Sequence, residues 1–193
     1  MVTTDNTISL QMCEILRQCK GLLLDSILCT DTGNTVQTIS MQVVILRFND
    51  FDIELWNEEK PDIPGELKDL AKIRIHVNPD KNLQSPVGKK DKAGNFIPLD
   101  FIPFEIKKKI CGIKIYNEKI KCLNSAGIIQ FELDNTCAIV ISLGDIFVHI
   151  EKQNHWSEMW HVFMKKTDIL NQPSEWENEE DCSYEVHPYS LLL

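Results

Sequence analysis

From Leu22 to Met164 the sequence is a succession of apolar runs rich in isoleucine, valine and leucine, interrupted at short intervals by glycine, asparagine, aspartate or proline. Such punctuation leaves little room for long helices and specifies strands joined by turns. A first set of strands is read at Leu22 to Cys29, Val36 to Phe48, Phe51 to Trp56 and Ile73 to Val77. A second is read at Ile110 to Tyr116, Ile128 to Leu133, Cys137 to Leu143 and Ile146 to Ile150. In Phe51 to Trp56 the apolar Phe51, Ile53 and Leu55 alternate with Asp52, Glu54 and Trp56, as a strand with one wet face requires. Trp160, Val162 and Met164 alternate in the same way, which favours a further strand at Met159 to Met164 over a helical pairing of Trp156 with Trp160.

Ahead of the strands, Ile8, Met12, Ile15, Leu16, Cys19 and Leu23 fall on one helical stripe, so a helix is expected over Ser9 to Lys20, stopped by Gly21. The expected class is therefore α+β: an N-terminal helix followed by mostly antiparallel sheet in two meander-like strand sets. Residues Asn78 to Pro98 carry three prolines, two glycines and four lysines and read as a long surface connection. A single domain over residues 1–193 results. Its two strand sets are either one meander or a duplicated unit of two similar β lobes, 21–80 and 105–165, joined by a lysine-rich loop 81–104. Ser174 to Glu185 is polar and acidic, and the chain is expected to end in an acidic C-terminal tail, although the terminal Leu191, Leu192 and Leu193 are more comfortable docked than free.

The chain has 193 residues, 43% of them apolar and 25% charged, a balance that fits a folded core and excludes a disordered or collagen-like chain. No apolar run reaches the ~20 residues that a bilayer-crossing helix needs, and Met1 to Gln11 has no basic and apolar leader. A cytoplasmic protein with no membrane partner is the expectation. Seven cysteines, an odd number with no C-x-x-C pair, point to thiols in a reducing cytosol and not to a disulfide framework.

The formal net charge is −9, unevenly spread. Between Lys81 and Cys122 ten lysines face four carboxylates, whereas from Thr167 onward there are seven acids and no lysine or arginine. A second acidic cluster comprises Asp50, Asp52, Glu54, Glu58, Glu59 and Asp62. Such a surface repels phosphate backbones and attracts cationic partners, so nucleic acid is disfavoured and a basic protein is favoured. The lysine segment lacks arginine and the interleaved aromatics of a nucleic-acid groove. Trp56 lies beside Glu58 and Glu59, and Trp176 beside Glu177, Glu179, Glu180 and Asp181. Aromatic anchors ringed by acids suit capture of a cationic protein; packing into the fold is the competing reading of both tryptophans.

Catalytic spacings are nearly absent. The sequence contains no phosphate-binding glycine loop, no nucleophile elbow and no H-E-x-x-H. One histidine and carboxylate cluster stands out: His149, Glu151, His155, Glu158 and His161. On a strand His149 and Glu151 share a face, and imidazoles with carboxylates bind zinc or related metals. Cys137 and Cys182 are the thiols that the fold could bring to His149 or His187. The preferred reading is a non-enzymatic, cytoplasmic, acidic protein-binding module without a cofactor, of the immunity or inhibitor kind that neutralises a basic partner such as a toxin. The alternative is a metal-assisted hydrolase using His149, His155, Glu158 and His161.

Overall fold

The computed structural model describes residues 2–30, 38–59, 71–82, 87–123, 126–153, 159–170 and 183–193. Within them the fold is two antiparallel sheets packed face to face with one short helix, so the class is mainly β and not the α+β expected. No helix among the described residues is long and apolar enough to cross a membrane.

Strand β1 (Val2–Asn6) is followed by helix α1 (Leu10–Gln18). The Ser9 hydroxyl caps the helix by accepting from Met12 N–H at 3.3 Å, and the helix buries Cys13 and Leu16. Gly21, at φ +87°, takes the left-handed turn that ends this segment. The chain then runs through β2 (Leu23–Cys29), β3 (Thr38–Met41), β4 (Val43–Arg47), β5 (Asp52–Glu59) and β6 (Ala71–Asn78). A small hairpin of β7 (Gly88–Lys90) and β8 (Phe96–Pro98) occupies the region read as a loop, and β9 (Ile102–Lys109) follows it. The rest is β10 (Gly112–Leu123), β11 (Ile129–Ser142), β12 (Phe147–Lys152), β13 (Met159–Lys165) and β14 (Ser183–Leu192).

The five-stranded sheet has the order β6-β5-β4-β2-β9, and the seven-stranded sheet the order β14-β10-β11-β12-β13-β3, with β1 parallel to the first half of β11. Each strand set falls largely to one sheet, with two exchanges: β9 joins the first sheet and β3 the second. The exchange at β3 explains why Val36 to Phe48, read as one strand, is broken. Gln42 sits at φ 59° between β3 and β4 and turns the chain from one sheet to the other. Facing side chains fill the space between the sheets: Leu24, Val44, Leu46, Ile53, Leu55 and Ile73 from one side meet Ile113, Ile115, Ile139, Ile141, Ile150 and Trp160 from the other.

Strand β11 is continuous through Asp134 and Asn135, where a turn was expected, because the polar residues there are buried and bonded. Thr136 donates to Asn117 Oδ1 at 2.7 Å, and Asn135 Nδ2 donates to Glu118 Oε1 at 2.9 Å. Lys152 Nζ donates to the Ala71 carbonyl at 2.8 Å and to Asn135 Oδ1 at 3.1 Å, and Asn6 Nδ2 bonds the same two acceptors. These bonds tie β1, β11 and β12 of the large sheet to β6 of the other.

The last residues form a strand, Ser183–Leu192, while the acidic run 171–182 lies outside the described residues. Ser183 to Leu192 pairs antiparallel with β10 from Leu123 to Lys114, and Leu193 is buried. The acidic stretch ahead of Ser183 therefore lies between two placed segments. A second departure concerns cysteine chemistry. Cys13, Cys19, Cys29, Cys111 and Cys137 are free thiols, but Cys122 is engaged in a disulfide.

Candidate functional site

The alternation of β5 sends Ile53 and Leu55 into the core and leaves Asp52, Glu54, Trp56 and Glu58 on the outer face. Each of these polar groups finds a partner. Asp52 is held in a two-pronged pair by Arg47, with contacts of 2.8 and 3.1 Å. Glu54, 8% exposed, accepts from Trp56 Nε1 at 2.7 Å and from Asn78 Nδ2 at 2.6 Å. Glu58 pairs with Arg74 at 3.0 Å. Trp56 is half-buried against a second small core of Leu28, Val43, Ile45 and Val87. Its indole thus braces a buried carboxylate on the outer face of the sheet. Glu59 ends β5, and Trp176, Glu177, Glu179, Glu180 and Asp181 lie outside the described residues.

Five of the ten lysines between Lys81 and Cys122 pair with carboxylates among the described residues. Register places Lys119 opposite Asp134 and Lys121 opposite Glu132, giving contacts of 3.7 and 4.0 Å. Lys107 meets Glu105 at 3.3 Å, Lys108 meets Asp145 at 3.0 Å and Lys114 meets Asp168 at 2.9 Å. Exposed pairs of this kind each add only ~0–1 kcal/mol to stability. Their larger effect is on the field, since five of the six lysines of β9 and β10 each face a carboxylate.

Residues 166–170 cross the outer face of the large sheet and are held there by three side chains. Tyr116 donates its hydroxyl to the Asp168 carbonyl at 2.8 Å, Lys114 bonds Asp168 Oδ2, and His149 Nε2 lies 2.8 Å from the Thr167 carbonyl. His149 is fully buried, stacks on Phe163 with centroids 5.1 Å apart, and places Nδ1 2.9 Å from Glu151 Oε1. A carbonyl accepts only, so Nε2 carries a proton and donates it to Thr167. The expected sharing of a face by His149 and Glu151 is what brings them together. His161 stands directly opposite Glu151 in the β12–β13 ladder, while His155 and Glu158 lie outside the described residues. Both nitrogens of His149 are occupied by protein groups, and among the described residues no group of three or more histidines, cysteines or acids is arranged to hold a metal ion.

Beside this strap a cavity of about 410 Å³ opens between Lys20, Lys114, Val140, Phe147 and Asp168. Its volume lies in the range of small-molecule sites, but its central charges, Lys114 and Asp168, already satisfy each other. Cys137 is no better placed for chemistry. Burial pushes its thiol well above the ordinary range, and Sγ is turned to the Tyr116 carbonyl at 3.3 Å. Burial likewise pushes Cys19 up to about 12.

Comparison with protein-family models, curated proteins and solved structures finds no match to this chain. The functional reading therefore rests on this geometry.

The strap has a consequence for acid stability. The hydrogen bond from Lys114 holds the Asp168 carboxyl below its ordinary value. A carboxyl lowered by folding adds stability above its unfolded value, and that contribution is lost as pH falls through the folded value, here below about pH 4. The drop in urea midpoint between about pH 6 and about pH 3 is expected to be smaller in Asp168→Asn than in the natural protein. Identical drops in the two proteins would remove the linkage.

Sequence reasoning missed Lys114, Tyr116 and Asp168 as a unit. Lys114 and Tyr116 share a face of one strand, a spacing visible in the sequence, but the strap that meets them is far away in the chain. Trp56 was found by its place on the wet side of an alternating strand; the bond that occupies its indole comes from Glu54, two residues away on the same face.

Proposed function

We propose that this chain is a non-catalytic β-sandwich binding module that captures a basic protein, in the manner of an immunity or inhibitor protein neutralising a cationic toxin. One observation carries the reading. The lysines of β9 and β10 are largely spent on internal carboxylates, whereas residues 171–182 contain Glu175, Trp176, Glu177, Glu179, Glu180 and Asp181 and no lysine or arginine. Five negative charges and a tryptophan thus fall in one short run, bounded by the strap on one side and β14 on the other. Acids around an aromatic supply steering and an anchor for a cationic surface. Trp56 with Glu58 and Glu59 is the second contact region in this reading.

The buried ionisable groups support a binding role because protein partners already occupy them: His149 with Glu151 and Thr167, Glu54 with Trp56 and Asn78, and Lys152 with Ala71 and Asn135. A cytosolic setting fits the five free thiols. The paired lysines weaken the case for nucleic acid, whose binding depends on lysines and arginines available to phosphates.

The test immobilises the protein and probes extract of its native host at about 50 and about 500 mM salt, a roughly threefold change in Debye length. The expected result is a basic protein retained at low salt and released at high salt. Purified, it is expected to bind at least about tenfold more weakly, ~1.4 kcal/mol, to Trp176→Ala and to the triple variant Glu177→Lys, Glu179→Lys, Glu180→Lys. Retention indifferent to salt, or equal affinity for both variants, would overturn the proposal.

A further inference from the structure

We propose that the cavity beside the strap is a binding site for a compact organic anion, a carboxylate, sulfonate or phosphate carried on an apolar body. Strand register builds its floor. Gly112 and Lys114 share a face of β10, Ser142 and Val140 of β11 stand opposite them, and Phe147 of β12 stands opposite Ser142. Gly112 leaves a hollow in that face: a Cβ at its position would meet no atom within 4 Å beyond those of its chain neighbours. Leu192 of β14, opposite Lys114, and Asp168 of the strap line the sides. The volume, about 410 Å³, accommodates a small organic molecule.

The sign of the ligand follows from the charges in the lining, two ammonium groups against one carboxylate. Asp168 is already taken, since Lys114 donates to it at 2.9 Å and that bond keeps its carboxyl ionised. Lys20 is left over, with no ion pair among the described residues. Backbone bonds fix where it stands. Gly21 N–H donates to the Ile110 carbonyl at 2.8 Å and Ile110 N–H to the Leu22 carbonyl at 2.9 Å, so the residues after α1 are tied to the start of β10 and Lys20 reaches the rim with Cys111. Lys20 and Cys111 are exposed, whereas Ile113, Val140 and Leu193 are buried and supply hydrocarbon beneath them. An anionic head meets Lys20 at this wet rim and keeps part of its hydration, while the apolar body displaces water from the floor. A cation finds only a carboxylate that is already paired.

Cys111 is a native reporter of occupancy. Its thiol is free, exposed and part of the lining, whereas the free thiols of Cys13, Cys19 and Cys29 are buried. Brief treatment with a neutral alkylating reagent therefore marks Cys111 ahead of those three. The site goes beyond the capture of a basic protein and uses none of the residues assigned to that role.

The test titrates the protein with anilinonaphthalene sulfonate, an anion on an aromatic body, and with its uncharged parent phenylnaphthylamine, both followed by fluorescence. The sulfonate is expected to bind about threefold or more tightly than the amine, the scale of one exposed charge. Lys20→Gln is expected to erase that preference by weakening the sulfonate alone. Gly112→Leu fills the hollow at a position whose φ lies outside the left-handed region and whose Cβ has room. It is expected to keep the urea midpoint of the natural protein and to weaken both probes by about tenfold or more. A measurement on the natural protein stands independently of how that variant folds. With sulfonate at about ten times its Kd, alkylation of Cys111 by iodoacetamide, read by peptide mass, is expected to slow about tenfold. Absence of sulfonate binding, undiminished affinity in Gly112→Leu, or an unchanged rate at Cys111 overturns the site. Equal affinity of the natural protein for the two probes, or equal loss of both in Lys20→Gln, overturns the assignment to an anion. Either failure leaves the salt-dependent capture of a basic protein standing, and failure of capture leaves this site standing.

Discussion

Trp160→Ala is expected to destabilise the fold by about 3–5 kcal/mol. Trp160 is fully buried in the core between the two sheets, where it is among the largest such side chains. Truncation removes its contacts and leaves a cavity that the surrounding isoleucines and valines, fixed by two sheets, fill only in part. Its indole N–H is also buried and meets no hydrogen-bond acceptor among the described residues. Trp160→Phe therefore removes a donor that gains nothing in the folded state, and the desolvation of such a group costs ~1–3 kcal/mol. This offsets much of the lost ring volume, so the phenylalanine variant is expected within about 1 kcal/mol of the natural protein. Urea unfolding of both variants measures the two differences. A phenylalanine variant as unstable as the alanine one would show that the indole nitrogen is bonded after all.

The second large effect is expected at Lys152, which stands opposite Trp160 in the β12–β13 ladder. Its ammonium is buried and reaches across to the Ala71 carbonyl of the other sheet. It also shares Asn135 with Glu118, 5% exposed, so that one buried cation and one buried carboxylate meet through an amide. Lys152→Met keeps most of the stem against the core and removes the charge. The expected cost is about 3–5 kcal/mol, because Glu118 keeps its desolvation penalty and loses the ammonium that offset it. Neutralising the carboxylate as well, in the double variant Lys152→Met with Glu118→Gln, is expected to cost less than the two single changes added together. Strict additivity would mean that the two charges do not sense each other. Lys152 and Trp160 are neighbours, so their own double variant is also expected to depart from additivity.

Both predictions concern residues whose importance is only half visible in the sequence. Alternation in Trp160, Val162 and Met164 was enough to place β13, since period-two patterning is set by which face meets the core. The helix at Leu10–Gln18, the strands β2, β4, β5, β6 and β12, and the shared face of His149 and Glu151 were legible for the same reason. Strands β1, β9 and β14 were not. Polar residues, lysines or a proline interrupt their patterns, and the structure pairs them with β11, β2 and β10 respectively. An edge strand needs no apolar alternation of its own, and the charged residues that protect it against mispairing make it read as loop or tail. Lysines and Pro103 on β9, with a register irregularity opposite β2, are such features.

The site divides along the same line. Local information placed Trp56 and Glu54 on one face of β5 and gathered the acids of 171–182 into one run. Tertiary structure decided which charges remain available. It set Lys119 and Lys121 against Asp134 and Glu132, closed the strap over Tyr116 and Lys114, and carried the chain from the acidic run into a strand beside Cys122. Periodicity and composition record how each residue meets water, which is a property of its own segment. Pairing of distant charges and burial of a polar network depend on which segments become neighbours, and pairing and packing of the two sheets determine that.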